Sequence, residues 1–132
     1  MSFLVDTNVI SELTRRRPNA AVLAWSQSVA VHHVSAISVD ELWYGISRRP
    51  MLELDAWLTH YLNSHKVLPI DQDVARRAGQ LRGAFSLRGI VRDQPDMLIA
   101  ATAQAHGLTL VTRNSKDFEG CGIGLLNPFE TP

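Results

Sequence analysis

Five short apolar, β-prone runs punctuate this chain and constrain its fold more than any other feature. They lie at 2–5 (SFLV), 33–37 (HVSAI), 67–70 (VLPI), 109–112 (TLVT) and 123–126 (IGLL). Helical patterns fill the intervals, at 8–15, 19–29, 38–48, 51–64, 72–88 and 95–106. In the third of these, Val39, Leu42, Trp43 and Ile46 recur at the spacing of one helix face. Pro95 suits the first turn of the last helix, and Gly107 the residue just past its end. Strands alternating with helices predict βαβ units, hence an α/β domain of three layers, α/β/α, with a mainly parallel central sheet. Pro69, inside the third run, has no N–H to give a neighbouring strand, which places that run at a sheet edge.

A chain of 132 residues fits one domain spanning 1–132, large enough to bury a core without staples. No apolar run approaches the roughly 20 residues of a membrane span. No basic flank precedes the short N-terminal apolar stretch, so the sequence does not read as a signal peptide. A lone cysteine, Cys121, excludes an internal disulfide and a cysteine-based zinc site, and suits a reducing cytoplasm. Net charge is zero, from 13 basic and 13 acidic residues, so no bulk field draws the chain to nucleic acid. The kind of base says more: apart from Lys66 and Lys116, every basic residue is an arginine, whose planar fork matches phosphate oxygens. The clusters Arg15–Arg17, Arg48–Arg49 and Arg76–Arg77 are candidate phosphate contacts, and each is equally an ordinary solvated helix end.

In a parallel sheet, strand ends and the helix starts that follow gather at one edge. Asp6 ends the first run, and Glu41 lies in the first turn of the helix after the second. Asp71 ends the third run, Asp93 and Asp96 open the helix before the fourth, and Asn114 and Asp117 follow the fourth. Taken alone, each has a plain structural explanation. Asp6, Thr7 or Asn8 can cap a helix. "SVDE" at 38–41 has the form of a capping box, with Ser38 as N-cap and Glu41 reaching back to it. Asp71, Asp73, Asp93 and Asp96 suit first turns, where the helix dipole favours negative charge. Asp117 fits a polar turn. Together at one edge, they would repel one another unless a divalent cation held them. Oxygen donors with few histidines nearby point to magnesium or manganese rather than zinc.

The remaining chemistry-bearing residues add little. His32 and His33 are adjacent and face opposite sides of a strand, and His60 and His65 have no acid at ligand spacing. His106 sits at a helix C-terminus, where a cation is favoured. No glycine-rich phosphate loop, nucleophile elbow or cysteine–histidine pairing is present. Trp25, Trp43 and Trp57 fall in helical stripes and belong to core or interface.

The segments "LVDTNVISEL" (4–13), "SAISVDELWYGI" (35–46), "PDMLIAATAQAHGLTLVTRNSKDF" (95–118) and "NPF" (127–129), in this order and spacing, resemble a PIN domain. The similarity is greatest to the short VapC-type toxins of bacterial toxin–antitoxin modules, and it runs from Ser2 to about Phe129. The resemblance implies a magnesium or manganese site formed by Asp6, Glu41 and Asp96, with a fourth polar position at Asn114 or Asp117. The segment "RDQPD" at 92–96 departs from the small or apolar residues often found there, and it adds Asp93 beside Asp96.

What the resemblance implies is a metal-dependent endoribonuclease that inhibits translation by cutting RNA, in the cytoplasm. Asp6 and Asp96 would hold the cation, with Thr7 or Asn8 left to cap the helix. Glu41 would complete the shell or orient the nucleophile, and Asn114 and Asp117 would support a second ion or the water. Thr112 and Ser38 are candidate supporting donors, and Arg113 with Arg15–Arg17 would grip the RNA backbone. The implied partners are a cognate VapB-type antitoxin and a second copy of the chain, with Trp43 and Tyr44 a reasonable contact. Two rivals remain: a non-catalytic RNA- or partner-binding module on the same fold, and a phosphoacceptor domain, which would need Lys66 or Lys116 at its site.

Overall fold

All five runs become strands of a single sheet in the computed structural model, which describes residues 1–130. In chain order these are β1 (Phe3–Val5), α1 (Thr7–Leu13), α2 (Ala20–Ser28), β2 (His33–Ser35), α3 (Ala36–Arg48) and α4 (Leu52–Ser64). There follow β3 (Lys66–Leu68), α5 (Gln72–Leu87), α6 (Gln94–His106), β4 (Thr109–Val111), a 3-10 turn (Ser115–Phe118) and β5 (Leu125–Leu126). Every pairing is parallel, in the order β3-β2-β1-β4-β5.

Alternation along the strands sends successive side chains to opposite faces, and each face builds its own core. Leu4 and Leu110 pack with Val74, Ala78 and Phe85 of α5 and with Met97, Ile99 and Ala100 of α6. One residue further along each strand, Val5 and Val111 join Val9, Ile10, Val22, Leu42 and Leu58 from α1 to α4. That division is the three-layer α/β/α arrangement expected from the order of runs. Small residues such as Ala100, Ala101 and Ala103, all fully buried, let α6 lie close against the sheet. Pro95 falls in the first turn of α6, and Gly107 ends it at φ 63°, a left-handed conformation only glycine adopts freely.

Three boundaries differ from those expected. β2 stops at Ser35 because α3 begins at once: the Ser35 hydroxyl oxygen accepts from the Ile37 N–H at 3.2 Å and caps the helix. The start expected at Ser38 is therefore two residues late, and Ser38 is buried inside the helix. β3 is an edge strand, as Pro69 required, yet Pro69 lies just beyond it, where the missing N–H ends the ladder. The last run pairs only through Leu125 and Leu126.

His32 and His33 diverge as expected. His33 Nδ1 lies 3.2 Å from the Phe3 carbonyl oxygen, while His32 is buried beneath α4 with Tyr61 and His65. Among the described residues, no helix is long and apolar enough to cross a membrane.

Candidate active site

The carboxyl ends of the parallel strands share one edge, and Asp6 occupies its centre. The Asp6 N–H donates to the Val111 carbonyl at 2.9 Å, prolonging the β1–β4 ladder by one bond. Its side chain then turns into the sheet edge, only 4% exposed. Oδ1 accepts from the Thr7 N–H at 2.7 Å. Oδ2 accepts from the Thr112 hydroxyl at 2.8 Å and from Asn8 Nδ2 at 3.3 Å. Asp6 is thus itself the N-cap of α1, and the expectation that Thr7 or Asn8 would take that role is corrected. Asp6 has the extended backbone of a cap, whereas Thr7 is already helical. Burial raises the Asp6 pKa, the bonds from Thr112 and Thr7 oppose the rise, and the charges of Glu41 and Asp117 add to it.

Glu41 projects from the second turn of α3 toward the same place. The Thr7 hydroxyl donates to Glu41 Oε1 at 2.7 Å and lies 2.9 Å from the Ser38 hydroxyl oxygen. No capping box forms, because Ser35 has taken the cap and Ser38 faces Thr7 instead. Glu41 is held by a side chain of another helix rather than left in solvent.

Asp96, in the first turn of α6, is half-buried and carries the largest shift among the site acids. Its pKa is pushed up to about 8, first by burial, then by a hydrogen bond with the Asp93 side chain and by the charges of Asp93, Asp6 and Asp117. Asp93 occupies the N-cap position of α6 yet makes no cap bond with its side chain.

The fourth position divides by geometry. Asp117, in the 3-10 turn, lines a cavity of about 240 Å³ with Val91, Arg92, Asp93 and Asp96. Asn114 is the residue before the turn, with non-helical backbone, and its N–H donates to the Thr112 hydroxyl at 3.0 Å. It lines a neighbouring cavity with Arg113, Lys116 and Asn127, which Asp117 also borders. The structure brings Asp6, Glu41, Asp96 and Asp117 into electrostatic contact through Asp6 and Asp96, while the uncharged Asn114 joins the site through Thr112, whose hydroxyl bonds both its N–H and Asp6. The other acids are occupied elsewhere: Asp71 caps α5 through the Val74 N–H, and Asp73 pairs with Arg76 and Arg77.

Thr7 and Asn8 were assigned to capping in the sequence, and their part in holding the site was missed. Thr7 fixes Glu41, while Asn8 spans Asp6 and the Arg113 N–H, which donates to its Oδ1 at 3.2 Å. The adjacency of both to Asp6 was the available signal. Of the arginines, Arg15 pairs with the buried Glu12 at 3.3 Å. Arg113 lies over the Phe129 ring, 4.5 Å from its centroid. Lys116 borders the Asn114 cavity rather than the one that Asp96 lines.

The donor set suits a hard divalent cation: carboxylate oxygens that repel one another strongly enough to retain a proton. Among the described residues no three such side chains close into a ready-made coordination cage. Positive charge between them is what would draw them together.

Comparisons with known proteins agree with this geometry. The PIN domain family matches residues 3–120. The VapC ribonuclease Y4jK of Sinorhizobium fredii is 37% identical, covering 96% of this chain and 97% of the relative. The crystal structure of FitAcB from Neisseria gonorrhoeae superposes with a TM-score of 0.87 at 33% identity, covering 98% of this chain and 99% of the other. A toxin–antitoxin complex from Klebsiella pneumoniae superposes at 0.79 and 30% identity, over 98% and 100%. A parallel sheet in this order, acids converging at its carboxyl edge and near-complete coverage by these relatives lead to one conclusion: this chain belongs to the PIN-domain family, as a homologue of the VapC ribonuclease toxins.

Proposed function

We propose that this chain is a metal-dependent endoribonuclease, the toxin half of a VapBC-type toxin–antitoxin pair. The observation that carries the reading is the mutual repulsion of Asp6, Glu41, Asp96 and Asp117 at one sheet edge. Crowded acids of this kind destabilise a fold unless a cation is to be held there. Asp6 and Asp96 would hold magnesium or manganese, with Glu41 beside them. When bound, the cation supplies the charge that polarises a phosphodiester and acidifies water. The chain's own residues supply the rest. Thr112 and Asn8 fix the Asp6 carboxylate, Thr7 orients Glu41, and Asp117 lines the cavity with Asp96. Glu41 is placed to accept a proton from an attacking water, and Arg113 at the rim to contact the RNA backbone.

The Klebsiella relative was solved as a toxin–antitoxin complex, which supports an antitoxin partner here; we also propose a second copy of the chain as partner. Purified protein incubated with cellular RNA should cut in magnesium or manganese and stop in chelator, and added metal should raise its melting temperature by mass action. Cleavage that persists in chelator rejects the metal mechanism, and no cleavage under any metal rejects the nuclease reading.

A further inference from the structure

Arg92 opens the segment "RDQPD", next to Asp93 and four residues before Asp96. An arginine so placed would be expected to neutralise one of these acids. It does not: among the described residues the ion pairs are Arg15–Glu12, Arg76–Asp73 and Arg77–Asp73. Instead Arg92 Nη1 donates to the carbonyl oxygen of Asp117, and Nη2 donates to the carbonyl oxygen of Glu119 at 3.0 Å. The flat of the guanidinium lies 4.2 Å from the centroid of the buried Phe85 ring. Beyond Glu119 the chain turns at Gly120, φ 82°, where an added Cβ would meet that same ring at 3.4 Å.

We propose that Arg92 is a positioning residue for Asp117: it clamps the carbonyls on either side of Phe118 against Phe85 and so aims the Asp117 carboxylate into the cavity with Asp96. The clamp adds to the hold of the buried Phe118 ring, which anchors the turn in the core, by fixing the backbone carbonyls on either side of that residue. The turn is four residues long and has no side-chain cap, and isolated 3-10 turns are intrinsically weak. Only a guanidinium can do this, since its fork reaches two carbonyls while its plane stacks on an aromatic face. Because these Arg92 N–H groups go to backbone oxygens, none of the described ion pairs ties Arg92 to a site carboxylate.

The inference rests on the nuclease reading for its catalytic consequence, but not for its structural one. Hydrogen exchange on the metal-free protein comes first. Arg92→Ala and Arg92→Lys should both speed exchange of the Glu119 and Cys121 amides, bonded to Lys116 and Phe118 carbonyls, and leave α1 unchanged. Unchanged exchange at 119–121 overturns the clamp even if the wild type proves inert toward RNA. With RNA, each variant should lose about tenfold in rate, the scale of an outer-shell support. In an Asp117→Ala background the further loss from Arg92→Ala should shrink to under about twofold, since contacting residues are not additive. An equal loss in both backgrounds, with the salt dependence of substrate affinity falling by about one ion, would mean that Arg92 grips a phosphate, and would also overturn the proposal.

Discussion

Two polar clusters in this fold, one beneath α4 and one partly open at the carboxyl edge, meet the cost of burial in opposite ways. Beneath α4, the His32 Nε2 lies 3.2 Å from the Ser26 carbonyl, its Nδ1 lies 2.7 Å from the Tyr61 hydroxyl, and its backbone N–H donates to His65 Nδ1 at 3.0 Å. The two imidazoles stack at 4.2 Å, and Trp57 stacks on Tyr61 at 5.1 Å. Burial lowers the pKa of both histidines and raises that of Tyr61, so all three are neutral and each has its partner. At the carboxyl edge Asp6 and Glu41 accept from Thr7, Thr112 and Asn8, but the acids also face one another, and Asp96, hydrogen-bonded to Asp93, keeps a proton to about pH 8. Satisfied polar networks stabilise a fold, whereas like charges oppose it. The contrast separates a structural polar cluster from a functional one without reference to any relative.

The largest test of that contrast is Asp6→Asn. It keeps the shape and removes one repelling charge, so cleavage should fall by more than the roughly 10–100-fold that supporting residues cost. The melting temperature in chelator should hold or rise. A marked drop in that temperature would make Asp6 a structural cap first, and the contrast would collapse.

Tyr61→Phe probes the other side. It leaves His32 Nδ1 buried without a partner and should cost about 1–3 kcal/mol in urea unfolding, with cleavage per folded molecule unchanged. Lost activity at intact stability would show that the two clusters communicate.

The pH dependence of stability in chelator should differ in sign between them. Histidines whose folded pKa is depressed contribute stability above their unfolded value near 6.5, and that stability is lost as pH falls below it. The acid pair Asp93–Asp96 binds its proton more tightly when folded, so stability is lost as pH rises from its unfolded value through about 8. Asp96→Asn should flatten the decline above the histidine limb, between about pH 6.5 and 8, measured by thermal melts, and leave the acid limb in place. A decline that survives the substitution would assign it to other groups.

The smallest effect sharpens the edge of the functional cluster. Asn114→Ala removes no charge and should change cleavage by no more than about twofold, against about tenfold for Asp117→Ala, which removes a carboxylate from the cavity that Asp96 lines. The reverse ranking would move the site to the neighbouring cavity.

Much of this was legible in the chain. Strand–helix alternation placed both cores, and a strand end and a first turn gathered Asp6 and Asp96 at one edge; Glu41, expected in a first turn, reaches that edge from the second turn of α3 because the helix starts at Ala36. What stayed hidden depends on direction rather than spacing. Ser35 and Ser38 are both plausible caps, and only the immediate start of α3 decides between them. Asn114 and Asp117 belong to one turn, and spacing does not show that Asp117, not Asn114, lines the cavity with Asp96. Arg92 carried no expectation from the sequence, because no pattern of residue types shows a guanidinium choosing carbonyls.

The bond from Thr112 to Asp6 joins residues 106 positions apart. A chain still being made has its first acid almost at once, but lacks the hydroxyl that fixes it and the carboxylate at 117 until translation has passed both codons. Any chain cut short of Thr112 leaves the Asp6 carboxylate without its hydroxyl donor, so the site closes only once nearly the whole domain has been made.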